Sequence, residues 1–156
     1  MAQYPFPRLA RTASFVLVAC LAFGCGDSSG VGKTYPVSGM VTLDGQPLIP
    51  DSGMVMFEPD ASRGNDSPFQ PAGNIDDDGR FSLVTKGKDG APPGWYKVVV
   101  TALAEAPQHL KSKARTRPVG KSMAPAKYGL AKTSDLVVEV VADPAPGAYD
   151  LKLRSK

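Results

Sequence analysis

The chain of 156 residues carries 18 Lys and Arg against 15 Asp and Glu, with one histidine and two cysteines. Removing Arg8 and Arg11 from the 18 leaves 16 basic residues beside the 15 acidic ones, and so nearly neutral a body gives no electrostatic case for a nucleic-acid partner. Cys20 and Cys25 both precede the body, which therefore excludes disulfides and thiolate metal sites, and the length suits one domain.

Arg8 and Arg11 lead into the apolar run Thr12 to Gly24, which stops at Cys25-Gly26-Asp27-Ser28-Ser29-Gly30. A membrane-spanning helix needs about 20 apolar residues, so the run is short for an anchor and suits an export signal. With its terminal cysteine it resembles a bacterial lipoprotein signal. The expected organisation is a helical signal peptide over 1–24, a Gly/Ser tether over 25–34 and a single domain over 35–156. Cys25 is the expected lipid attachment site, because a polar linker follows it. Cys20 is the alternative, since Leu17-Val18-Ala19-Cys20 matches the lipobox pattern more closely but would leave Leu21-Ala22-Phe23 on the tether. The implied location is the cell envelope, membrane-anchored and facing the periplasm or exterior. Secretion after Ala22-Phe23-Gly24 and an uncleaved anchor are the competing outcomes.

In the body, short apolar segments alternate with turn chemistry. Tyr35 to Leu43 alternates and ends at Asp44-Gly45, a pair suited to the positive φ angles of a type I′ hairpin turn. Gly53 to Phe57 is a nearly continuous apolar strand, and Ala61 to Pro71 reads as an exposed loop. Gly73-Asn74-Ile75 and Arg80 to Val84 flank Asp76-Asp77-Asp78-Gly79, which predicts a hairpin. Lys86 to Pro93 is a Gly/Pro-rich connector. Gly94 to Thr101 is the most strand-like stretch and is expected at the centre of a sheet. Ala102 to Gly129 is predicted as a long irregular loop. Asp135 to Val141 and Tyr149 to Leu153 complete about seven strands, with the turn Asp143 to Gly147 between them. Two antiparallel sheets packed face to face would bury these stripes, with a barrel as the competitor. The predicted core is Val37, Val41, Leu43, Val55, Phe57, Phe81, Leu83, Tyr96, Val98, Val100, Leu136, Val138, Val140, Leu151 and Leu153.

The series Val37-Ser38-Gly39-Met40-Val41-Thr42-Leu43-Asp44-Gly45-Gln46-Pro47-Leu48, Asp76-Asp77-Asp78-Gly79-Arg80-Phe81 and Pro93-Gly94-Trp95-Tyr96-Lys97-Val98 resembles the carboxypeptidase regulatory-like or transthyretin-like β-sandwich. With the cysteine, the tether and Ala124-Pro125-Ala126-Lys127-Tyr128, it is similar to short lipoproteins of planctomycete-type bacteria. The resemblance covers roughly 35–153 and implies an all-β, seven-stranded antiparallel Greek-key sandwich. Its motifs are turn and core residues and carry no activity. The hydroxyisourate hydrolase branch uses several histidines and a terminal Tyr-Arg-Gly-Ser, whereas this chain ends Leu153-Arg154-Ser155-Lys156, so that activity is not carried over.

Chemistry-bearing residues are few, and no catalytic residue and no cofactor are expected. His109, with Glu105 and Ser112 nearby in sequence, would be the centre of the alternative reading, a small hydrolytic enzyme built around the 102–129 loop. Asp76, Asp77 and Asp78 are candidate metal ligands, joined by Asp51, Asp60 and Asp66 if their loops meet; a Ca²⁺-dependent adhesion module is the second alternative. A Ca²⁺ site takes about six to eight oxygens, and the distal glutamate of a calcium loop is missing here. Lys111, Lys113, Arg115, Arg117 and Lys121 form a candidate binding cluster for anionic head groups or polysaccharide, without an aromatic residue on which bases could stack. Trp95 and Tyr96 are candidates for a sugar-stacking face. The expected role is a non-catalytic binding or structural module, held to the membrane through its N-terminal lipid, with a protein or polysaccharide partner.

Overall fold

The alternating and β-branched segments form ten strands in the computed structural model, which describes residues 1, 29–104 and 120–156. The strands are β1 (Ser38–Leu43), β2 (Gln46–Pro47), β3 (Ser52–Pro59), β4 (Ala72–Asn74), β5 (Arg80–Ser82), β6 (Val84–Thr85), β7 (Lys88–Asp89), β8 (Gly94–Leu103), β9 (Val137–Val140) and β10 (Leu151–Leu153). Two 3-10 turns, Ala61–Arg63 and Ala126–Gly129, are the helical elements among the described residues. The expected signal segment with Cys20 and Cys25, and Glu105, His109, Lys111, Ser112, Lys113, Arg115 and Arg117, lie outside the described residues.

The strands make two open sheets. One has six strands in the order β7-β6-β4-β3-β8-β9; the other has four, with β10, β1 and β2 in a row and β5 also paired to β1. The fold is thus mostly β, as the alternation requires. The segment expected to be central is central: β8 pairs with β3 over eight positions, from Ser52↔Leu103 to Pro59↔Tyr96, and with β9 on its other side. Valine and aromatic residues suit such a strand because Tyr96, Val98 and Val100 on one face of its pleat are buried in the core.

Pairing is not uniformly antiparallel, which corrects the expectation. β10 runs parallel to β1, with Val41↔Leu151 and Leu43↔Leu153 in register. The chain leaves β9 in one sheet and enters β10 in the other, so no hairpin imposes opposite directions. Asp44 and Gly45 form the two-residue turn between β1 and β2, with φ of 50° and 86°, as the Asp-Gly pair predicts. The acidic turn behaves differently from the simple hairpin expected. Ile75 and Phe81 make a single bridge across it, after which β4 pairs with β3 and β6 while β5 pairs with β1. It is therefore a corner between sheets. Gly73 permits this corner, because a Cβ there would overlap the Ser82 carbonyl.

The inner faces of both sheets share one core. Val41, Phe81, Leu151 and Leu153 from one meet Val55, Phe57, Tyr96, Val98, Val100 and Val140 from the other. Of the predicted core, Leu43, Leu136 and Val138 are only partly buried at its margin. Leu48, Ile75, Ala91, Ala102, Ala124, Tyr128 and Tyr149 join it without having been predicted.

Two segments expected to be irregular belong to the domain where they are described, at 102–104 and 120–129 and from Val31 onward. The 102–129 stretch begins inside β8, and at its far side Lys121 accepts a bond from the Ala104 amide at 2.9 Å while Met123 donates to Ala102 at 2.8 Å. The strip at 121–123 thus extends the β8 edge that β9 covers lower down. Tyr128 follows in its 3-10 turn, 1% exposed, with its hydroxyl accepting the Arg154 amide at 3.0 Å. At the N-terminus, Val31 is 7% exposed and Tyr35 exchanges two backbone bonds with Ala91, so the expected 25–34 tether is docked from about Val31 onward.

Candidate functional site

Of the three aspartates of the acidic turn, Asp76 serves the backbone. Asp76 accepts the amides of Asp78 at 3.0 Å and Arg80 at 2.7 Å through one carboxylate oxygen, while Gly79 closes the turn at φ 76°. This is the local chemistry by which an aspartate side chain substitutes for a turn carbonyl. Beside it lies an open hollow of about 640 Å³ lined by Ser38, Asn74, Asp76, Arg80, Ser82 and Asp150. Asp150 also serves the backbone there, taking the Met40 amide at 3.0 Å. Among the described residues no group of three or more His, Cys, Asp or Glu is arranged to hold a metal ion. Asp60 does not join the turn: it is 5% exposed and caps the Ala61–Arg63 turn through Ser62, 3.6 Å from Arg63.

Asp44 closes the β1–β2 turn, where its carboxylate accepts the Ser155 amide at 3.0 Å. That bond holds its carboxyl below the ordinary carboxylate value. Tyr96 and Trp95 separate by strand alternation. Tyr96 is fully buried, its hydroxyl donating to the Pro92 carbonyl at 2.9 Å, and burial pushes its phenol upward. Trp95 faces outward and is capped by the Arg63 guanidinium, 4.7 Å from the ring centroid. Only Trp95 of the pair is placed to meet a ligand, and Arg63 already occupies one of its faces.

The strands give the domain two poles. β8 has ten residues, about 33 Å at 3.3 Å per residue. At its Leu103 end lie Ala104 and Lys121, which bracket residues 105–119, and the acidic turn, reached through Ile75 on Gly53. Of the predicted basic cluster, Lys121 alone is described, exposed at this pole. At the Gly94 end lie Asp60 and Asn65, both bonded to the Trp95 carbonyl. The β6–β7 hairpin points the same way, since β6 runs antiparallel to β4 and β4 antiparallel to β3.

That hairpin tip gathers a group of residues with no single sequence signature. Lys86 and Gly87 form its two-residue turn at φ 46° and 83°, another type I′ geometry. The Lys86 ammonium sits 4.6 Å from the Phe69 ring centroid. Lys88 donates to the Gly32 carbonyl at 2.6 Å, and Lys33 lies 4.8 Å from the Tyr35 ring centroid. Gly90 allows the strap to pass: its φ is 86°, and a Cβ would overlap the Tyr35 carbonyl. Residues 32–35 thus run beside the β6–β7 hairpin and are tied to it through Lys88 and the close approach at Gly90.

Comparison with known proteins returns no match: no family model, no curated protein and no solved structure is similar to this chain.

Proposed function

We propose that the chain is an exported, lipid-anchored β-sandwich that serves as a non-catalytic binding or structural module at the cell envelope. The observation that carries the reading is the order of features: Arg8 and Arg11, the apolar run, Cys25, and then a folded unit in which Val31 is the first buried residue among those described. A signal of this form delivers whatever follows it to the envelope and leaves the cysteine at the mature N-terminus. The resemblance of the turn and core motifs to the regulatory-like or transthyretin-like sandwich, with its seven-stranded Greek-key order, belongs to the same proposal. Carboxylates already engaged by backbone amides, as at Asp76 and Asp150, favour a module over a hydrolase built on those groups. The partner class is a protein or polysaccharide of the envelope, reached by a domain held at the membrane.

Mass spectrometry of the N-terminal peptide tests this, using membrane and soluble fractions of cells that express the native gene. A diacylglyceryl-modified peptide beginning at Cys25, lost in Cys25→Ala and kept in Cys20→Ala, is the expected result. A modified peptide beginning at Cys20 would move the attachment site and keep the anchor. An unmodified soluble peptide starting beyond the apolar run would overturn the anchored reading.

A further inference from the structure

We infer that β9 is an interface between two copies of this chain, its outer edge pairing antiparallel with the same edge of a second copy about a two-fold axis at Val138. The ladder to β8 fixes which groups that edge presents. The Val98 amide donates to the Leu136 carbonyl at 2.9 Å, so Leu136, Val138 and Val140 turn their backbone groups toward β8. Val137 and Glu139 turn theirs away, where they meet no partner among the described residues. A strand edge with open amides and carbonyls is a template for a further strand unless something blunts it. The other edges are blunted. β7 has two residues and carries Lys88, and β2 has two and ends in Pro47. Beside β10 the Arg154 amide is taken by the Tyr128 hydroxyl and the Asp150 amide by the Gly147 carbonyl. β5 is bridged to Ile75 at Phe81. β9 has four residues, Val137-Val138-Glu139-Val140, with neither proline nor lysine among them.

That edge matches itself in one register. Setting Val137 opposite the second copy's Val137 brings Asp135, which lies before the strand begins, against the second copy's Glu139. Setting Glu139 opposite the second copy's Glu139 puts two carboxylates together, and like charges directly opposite are destabilising. It also calls on Val141, whose amide already donates to the Tyr149 hydroxyl at 3.4 Å. Setting Val137 opposite the second copy's Glu139 keeps every paired residue inside β9, and both such pairs exchange their open amides and carbonyls in full. Each Glu139 then lies in a row with Val137 and Lys97 of the second copy, because Lys97 is the neighbour of Val137 on β8, with Glu58 of β3 on its far side. So short a pairing holds weakly, and the dimer forms as the concentration rises.

Cysteine cross-linking of the full chain tests the inference, since the body has no cysteine and the parent chain controls for Cys20 and Cys25. In the inferred register the two copies of Val138 stand about 4.5 Å apart between Cα atoms, within reach of a disulfide. The two copies of Val137, or of Glu139, stand about 8 Å apart and beyond that reach. Mild oxidation should therefore give a disulfide-linked dimer in Val138→Cys and none in Val137→Cys or Glu139→Cys. Sedimentation of the parent chain should show a dimer that grows with concentration. Val137→Pro removes an amide that β8 does not use, so it should keep the β-signal and the thermal transition and abolish the dimer. Preferred cross-linking at Val137 or Glu139, equal cross-linking at all three positions, none at any, or a dimer that survives Val137→Pro overturns the pairing. A monomeric parent chain overturns it too: slow hydrogen exchange at Val137 and Glu139 would then mean that the chain's own residues cover the edge, and fast exchange that it is open to a strand of different sequence. The cysteine variants decide the question even if the proline variant fails to fold.

Discussion

Single residues in this domain mostly support the backbone, even where their chemistry suggests a site. Asp44 holds the β1–β2 turn at φ 50° and accepts the Ser155 amide, which lowers its pKa below the usual 3.8. Asparagine tolerates the same backbone, so Asp44→Asn isolates the charge. A carboxyl lowered in the native state stabilises above its unfolded pKa and loses that contribution as the pH falls through the native value. Thermal melts should therefore show Asp44→Asn below wild type at pH 7, with the gap closing below pH 3.8. Asp76→Ala removes the acceptor of two amides and should cost about 1 kcal/mol. Urea unfolding should give the same loss in EDTA and in calcium buffer; a loss present only with calcium would restore the Ca²⁺-adhesion reading. Tyr128→Phe removes the acceptor of the Arg154 amide and should also cost about 1 kcal/mol, against about 3–5 for Tyr128→Ala. Such a ratio by denaturant titration would place the Ala-Pro-Ala-Lys-Tyr motif in the core.

At the scale of elements, the hairpins that depend on two adjacent residues were readable and the pairings that depend on distant ones were not. Asp44-Gly45 predicts its own turn, since positive φ at two consecutive positions is a local demand. Lys86-Gly87 makes the same geometry inside a stretch whose composition reads as a connector, because a lysine at positive φ carries no composition signal. The acidic turn was recognised as a turn, yet the strands on its two sides belong to different sheets, a choice made by Val37, whose carbonyl receives the Leu83 amide. The backbone bond from Ala104 to Lys121 brings together the two flanks of residues 105–119. Replacing them with a short Gly/Ser linker should keep the strand contacts and raise stability by at most about 1 kcal/mol, through the shorter loop to be closed. Far-UV circular dichroism and urea titration would check this, and loss of the β-signal would assign the segment a structural part.

For the whole molecule, one shared core means one cooperative unit. Leu151 on β10 and Phe57 on β3 sit in different sheets but in the same cluster. Leu151→Ala should cost about 2–5 kcal/mol and Phe57→Ala about 3–5, each shifting a single thermal transition. Two separate transitions, one per variant, would mean that the sheets fold independently. The same unity gives the domain fixed poles: the strap and the lysine tip at the Gly94 end of β8, the acidic turn and the neck at its Leu103 end. A function that depends on facing a surface needs this rigidity, since a jointed pair of sheets would lose the orientation.

The sequence alone determined the β character, the central strand, the Asp-Gly turn and most of the core, because alternation and turn chemistry are local and each residue reports its own face. It also carried the expectation of an exported, anchored chain, which rests on the order of charges, apolar residues and cysteine rather than on any fold. Tertiary structure alone decided that β10 runs with β1, that Tyr128 plugs the core, that the strap is docked, and that Lys88 reaches the Gly32 carbonyl. Those outcomes depend on which distant segments approach one another, and a carbonyl 56 residues away leaves no mark on the local pattern of a lysine. The candidate metal and basic clusters were legible as charge but not as sites, for charge in sequence gives no direction. In the folded domain one carboxylate oxygen of Asp76 is committed to its own turn.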